Sequence, residues 1–86
     1  MNKVWHDKAW NEYLDWQKQD RKTLKRINNI LKEIDRTPFS GLGKPERLTG
    51  NLRGCWSRRI DEANRIVYMV ADDQLIIIQC GGHYNN

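Results

Sequence analysis

The hydrophobic period of this chain changes once, between Pro38 and Pro45, and that change limits the folds open to it. Upstream, Leu24, Ile27, Leu31 and Ile34 recur every three or four residues, the spacing of a buried helical stripe. Lys22, Lys25, Arg26, Asn29 and Lys32 occupy the opposite side, and Asp20 is placed to cap the helix at its start. Thr37-Pro38 stops it, because proline disfavours helical dihedrals in the residue before it. A loop of turn formers follows, Phe39-Ser40-Gly41-Leu42-Gly43-Lys44-Pro45. Beyond the loop the period is two: residues 55–60 and 65–71 read as strands joined by the polar turn Asp61-Glu62-Ala63-Asn64. Asp72-Asp73 turns the chain into Leu75-Ile76-Ile77-Ile78, apolar enough for a central strand covered on both sides. Near the start, residues 3–5 suggest a short strand. Asp7 is expected to cap a first helix that buries Trp10, Tyr13 and Leu14.

Strand, two helices, then a meander of strands predicts an α+β fold: a twisted, mainly antiparallel sheet with two N-terminal helices packed on one face. Residues 1–86 form one expected domain, and chains of this size bury only about 60% of the surface their unfolded form exposes. Alternation puts Ile66, Tyr68 and Val70 on one side of the middle strand and Arg65, Val67 and Met69 on the other. A buried unpaired charge is very costly, so Arg65 belongs on the face away from the helices.

Charge is modestly basic, with Lys+Arg 15 against Asp+Glu 11 and a net +4. Between residues 44 and 65 the basic side chains are Lys44, Arg47, Arg53, Arg58, Arg59 and Arg65, mostly the residue whose planar fork grips phosphate best. A solvated sheet face accounts for such a cluster equally well. The N-terminus has no apolar signal region, and no apolar run approaches the roughly 20 residues that span a bilayer. Cys55 and Cys80 have neither metal nor redox-pair spacing, so a reduced, cytoplasmic protein without membrane association is expected. Trp5, Trp10 and Trp16 are assigned to core or dimer packing. Trp16 falls off the helical stripe and, if exposed, is a contact for a second subunit or another partner.

Glu46, Arg58-Arg59, Arg65 and His83-Tyr84 are the candidates for chemistry. Singly each has a plainer reading: Glu46 as a surface carboxylate, His83 as a tail residue, Arg65 as the partner of Asp61 or Glu62 in a salt bridge. Together they suit RNA cleavage by internal transesterification. That reaction needs a base for the 2′-hydroxyl, an acid for the departing 5′-oxygen, and cations for the charge that builds on phosphorus. Glu46 can be the base, and His83 the acid, since imidazole titrates near neutrality. Arg65 and Arg59 can hold the phosphate, and Tyr84 can stack on a base or orient the phosphate. His6 and His83 without a cysteine cluster supply no metal-ligand pattern, and no cofactor is expected.

The strings Gly43-Lys44-Pro45-Glu46, Trp56-Ser57-Arg58-Arg59-Ile60, Asn64-Arg65-Ile66-Val67-Tyr68 and His83-Tyr84, in this order and spacing, resemble the YoeB family. That family lies within the RelE superfamily of ribosome-dependent mRNA interferases in type II toxin–antitoxin pairs. The likeness extends to NEYLDWQKQD at residues 11–20, to residues 25–29, and to Thr37-Pro38-Phe39 leading into Gly41-Leu42-Gly43. It implies a RelE-like β-α-α-β-β-β(-β) fold. It also implies a catalytic glutamate at Glu46, a phosphate-binding arginine at Arg65, and the terminal pair at His83 and Tyr84. Arg59 is implied to turn toward the substrate; Lys44, Arg58 and Arg47 of the basic cluster are expected as further RNA- or phosphate-binding residues. Family members act on mRNA in the ribosomal A site, are neutralised by YefM/Phd-type antitoxins and often form dimers. The chain departs from the pattern at Thr49, where many relatives carry lysine, and at Gly81-Gly82, where a basic residue usually precedes the His-Tyr pair. It also continues past the tyrosine to Asn85-Asn86. The double glycine is expected to loosen the segment that carries His83.

Two other functions fit the same residues. One is a module that grips RNA or the ribosome without cutting. The other is a basic face that exists mainly to receive an acidic antitoxin segment.

Overall fold

The computed structural model describes residues 1–83; Tyr84, Asn85 and Asn86 lie outside the described residues. In chain order the elements are β1 (Asn2–Trp5), α1 (Asp7–Gln19), α2 (Arg21–Arg36), β2 (Glu46–Arg47), β3 (Trp56–Arg59), β4 (Arg65–Ala71) and β5 (Gln74–Cys80). A single 3-10 turn, Gly50–Leu52, lies between β2 and β3. The sheet runs β1-β5-β4-β3-β2, with β1 parallel to β5 and every other pair antiparallel. The expected α+β order is present. The optional extra strand proves to be β2, too short at two residues to leave a periodic signal.

Asp20 begins α2 as expected: one carboxylate oxygen accepts from the Lys22 and Thr23 amides, and the other from the Thr23 hydroxyl. These bonds, the Thr23 hydroxyl first, hold its carboxyl below the usual range. The α2 stripe, Ile27, Ile30, Leu31 and Ile34, packs on Ile60, Ile66, Tyr68, Leu75, Ile77 and Cys80 of the sheet.

The first helix differs from expectation. His6 is the residue before it, without a capping side-chain bond, and Asp7 sits inside the first turn. There its carboxylate still faces the positive end of the helix dipole. Ala9 is the buried residue of α1, and Tyr13 and Trp16 pack on the core, whereas Trp10 is 43% exposed. Trp16 turns inward because its indole N–H finds a partner there, the Cys80 carbonyl at 2.8 Å. Trp10 stays at the margin, stacked on Tyr13 and edge-on to Trp5.

The second face of the sheet is only partly open. Leu48, Cys55 and Val67, joined by Leu52, Met69 and Ile78, form a smaller apolar cluster there. The β4–β5 register shifts at Val67/Tyr68: Val67 pairs with Gln79 but Tyr68 pairs with Ile77. Ile78 is the extra residue of this bulge, so Ile78 and Gln79 both serve the face away from the helices.

Candidate active site

Register decides which candidates share a face. Glu46 pairs with Ser57, Ser57 with Val67, and Val67 with Gln79, so these side chains form one row across four strands. Val67 belongs to the cluster opposite the helices, which puts Glu46 on that face. Two residues along, Arg59 pairs with Arg65 on the same face. Standard strand spacing and rise put the Glu46 Cα about 8 Å from that of Arg59 and about 12 Å from that of Arg65.

The same alternation removes two expected phosphate ligands. Arg58 pairs with Ile66 and points toward the helices, where it is fully buried. Its Nη1 donates to Glu33 Oε1 at 2.6 Å and to the Leu42 carbonyl at 3.2 Å. Nη2 donates to the carbonyls of Thr37 and Ser40, and Nε to the Tyr68 hydroxyl at 3.1 Å. That hydroxyl in turn donates a hydrogen bond to the Pro38 carbonyl at 2.7 Å. Arg58 therefore holds the loop leading to Glu46 and cannot reach RNA; burial satisfied by this many acceptors is a structural arrangement. Glu33 completes the knot by accepting from the Leu42 amide at 2.6 Å. That bond and the Arg58 guanidinium hold the Glu33 carboxyl below the usual carboxylate range.

Arg47 is the second correction. It pairs with Trp56, which pairs with Tyr68 of the helix-side core, so Arg47 projects from the face opposite Glu46. Its guanidinium lies 5.6 Å from the Trp56 ring, and Phe39 packs on the same ring at 4.8 Å. Lys44 is exposed in the loop beside Arg59, since the Arg59 amide donates to the neighbouring Gly43 carbonyl at 2.7 Å. Gly43 has φ +79, and a Cβ there would lie 2.8 Å from the Arg59 carbonyl oxygen. Only glycine lets the two backbones pass this closely.

Arg65 is fixed by the turn before it. Its Nη1 donates to the carbonyls of Asp61, Glu62 and Asn64 at 2.6, 3.1 and 3.1 Å. The partners are carbonyls rather than the anticipated carboxylate. Asp61 instead uses Oδ1 to accept the Ala63 and Asn64 amides, shaping the turn itself. From α2, Arg26 donates to the carbonyls of Ile60 and Arg59, fixing the end of β3.

His83 is exposed and lies at this same end of the sheet. The ladder runs on past β5: the Gly81 amide donates to the Arg65 carbonyl at 2.9 Å, and the Arg65 amide to the Gly82 carbonyl at 3.0 Å. Both members of the double glycine are thus hydrogen-bonded to Arg65. Gly81 and Gly82 have φ +146 and +71, so the pair supplies a turn that ordinary residues resist. Tyr84 is outside the described residues. Among the described residues no three His, Cys, Asp or Glu side chains gather as a metal site, and no helix is long and apolar enough to cross a membrane.

Comparison with known proteins bears on this arrangement. The family model for YoeB-like toxins of bacterial type II toxin–antitoxin systems matches residues 5–84, a span containing every candidate side chain. The chain belongs to the YoeB toxin family. Toxin YoeB of Escherichia coli O6:H1 is 51% identical over 84 residues, covering 98% of this chain and 100% of that protein. The YoeB/ParE toxin from Agrobacterium tumefaciens superposes with a TM-score of 0.94 at 44% identity, covering 98% of this chain and 100% of that one. A YoeB from the Staphylococcus aureus YoeB–YefM heterotetramer gives 0.89 at 42% identity, covering 98% of each chain.

Within this YoeB-family toxin, the residues that sequence reasoning missed are those that hold the site. Arg26 and Glu33 look like ordinary charges on a helix face, and nothing in their spacing marks them. Gln79 did carry a signal: it is a lone amide ending the apolar run Leu75-Ile76-Ile77-Ile78, and it is 7% exposed.

Proposed function

We propose that this toxin is a ribosome-dependent endoribonuclease that cuts mRNA in the A site by metal-independent acid–base transesterification. Glu46 takes the proton of a ribose 2′-hydroxyl, and that oxygen attacks the adjacent phosphorus. The phosphorus–O5′ bond breaks, and the imidazolium of His83 gives its proton to the departing oxygen. The products are a 2′,3′-cyclic phosphate and a 5′-hydroxyl end. Arg59 and Arg65 stabilise the charge on the non-bridging oxygens, Lys44 adds to the positive field, and Tyr84 stacks on a base or orients the phosphate.

The observation that carries this reading is the shared face of Glu46, Arg59 and Arg65, with the backbone leading to His83 hydrogen-bonded to Arg65. A carboxylate on one side of a cleavable phosphate and cations with an imidazole on the other is the division of labour the reaction requires. The antitoxin is an acidic YefM/Phd-type protein that covers this basic face and displaces the His83 segment. A solved relative is a YoeB–YefM complex and another a YoeB dimer, which supports such a partner and self-association for this toxin.

Primer extension on mRNA held in translating ribosomes tests the proposal. Wild type should give discrete A-site cuts, lost with Glu46→Ala and Arg65→Ala and reduced with His83→Ala. Ribosome binding without cuts by wild type would favour the non-cleaving binding module instead.

A further inference from the structure

Gln79 is a polar residue that the proposed chemistry leaves without a task, although it lies on the same row as Glu46. Its Nε2 donates to three successive carbonyls: Gly81 at 2.7 Å, Gly82 at 3.1 Å and His83 at 2.9 Å. A flipped amide would set its oxygen against all three, so this orientation is the one the acceptors allow. The β-bulge at Ile78 is what brings Gln79 to the open face, beneath the turn that follows β5. From the other side, Asn64 Oδ1 accepts from the Gly82 amide at 2.7 Å. At the root of the turn, Glu12 accepts the Cys80 amide at 3.0 Å while Trp16 donates to its carbonyl. These side chains occupy backbone groups that β1, which ends at Trp5 opposite Ile77, does not reach.

We infer that Gln79 is the positioning residue of the proposed site: its amide fixes the backbone of His83 and so sets where the imidazole stands relative to the phosphate. The inference rests on the nuclease reading for its catalytic consequence only, since the anchoring itself is independent of activity. Three carbonyls converging on one amide orient their dipoles against each other, and without the donor they repel. The glycines add no side-chain packing to resist that repulsion. With Gln79 absent, the turn keeps its two ladder bonds to Arg65, but the His83 carbonyl loses the Gln79 anchor. A displacement of about 1 Å in a reacting group is enough to slow catalysis about 100-fold.

The test compares wild type with Gln79→Met, which keeps the volume without the donor, and with Gln79→Leu, which removes the donor with a shorter apolar side chain. Backbone 15N relaxation and His83 ring signals report placement, and single-turnover cleavage of ribosome-held mRNA reports chemistry. Circular dichroism and β4–β5 amide protection verify that each variant is folded. The expected result is rapid motion confined to residues 81–83 in both variants. Cleavage should fall about 100-fold in both Gln79→Met and Gln79→Leu with ribosome affinity unchanged. Unchanged His83 relaxation in both variants would overturn the anchor. A mobile His83 with full cleavage would overturn its catalytic consequence. Absence of cleavage by wild type itself would strike the nuclease reading, while the relaxation arm would still decide the anchor.

Discussion

Arg58 and Arg59 are chemically identical neighbours with opposite tasks, and a strand's alternation is the whole of the difference. Arg58 faces the helices and ties four segments together; Arg59 faces outward beside Arg65. Arg58→Ala removes the donor side of a buried network and leaves Glu33, Tyr68 and several carbonyls without it. The expected loss is about 3–5 kcal/mol. Thermal unfolding should register it as a drop of about 12–40 °C for a chain this small. Glu33 adds a pH dependence. Its folded carboxyl titrates below the usual glutamate range, so its stabilisation is complete above that range and is lost as pH falls through the lower folded value. Melting temperatures followed from pH 7 downward should therefore fall on the acid side. Glu33→Gln should start lower at neutral pH and fall less steeply. Sequence reasoning grouped Arg58 with the phosphate ligands because an arginine pair does not say which member faces in. The alternation that correctly placed Arg65 was available for the pair too, but Glu33, the acceptor that makes Arg58 tolerable inside, lies twenty-five residues away.

Elements were legible where periodicity had length to work with. Helix α2 and strand β4 stand where the stripe and the alternation put them, and Asp20 caps as its chemistry suggests. Helix α1 was read with its tryptophans exchanged, because its rotation is decided by a hydrogen bond that no spacing reveals. Trp16 reaches the Cys80 carbonyl and Trp10 is left outside. Trp16→Phe keeps most of the aromatic surface but leaves that carbonyl without its donor. Urea unfolding should show a loss of about 1–3 kcal/mol. The same joint buries Cys80, whose thiol is pushed up to about 12, first by burial and then by the nearby Glu12 carboxylate. A thiol reagent at neutral pH should leave Cys80 unmodified in the folded toxin and label both Cys55 and Cys80 after denaturation. Strand β2 had no readable pattern at two residues, and its place follows from the Arg58-anchored loop before it and its pairing with β3.

At the scale of the molecule the sheet divides labour between its faces. One carries the helices and the larger core; the other carries a small apolar cluster that includes Val67, Glu46 in the same row as Val67, and two residues further along Arg59, Arg65 and the segment leading to His83. Under the proposed function, antitoxin recognition and RNA cleavage compete for one basic surface, so neutralisation needs no distant conformational change. A face assignment makes a demand that composition does not. Adjacent residues on β2 must differ sharply under the proposed function, because Glu46 stands on the face assigned to catalysis and Arg47 stacks on Trp56 on the other. The most direct measurement is the single-turnover rate of cleavage of ribosome-held mRNA by Glu46→Ala and Arg47→Ala, both checked for wild-type circular dichroism. Loss of the base should slow Glu46→Ala by about 100-fold or more, and Arg47→Ala should remain within about threefold of wild type. Equal losses, or a greater loss in Arg47→Ala, would contradict the site described.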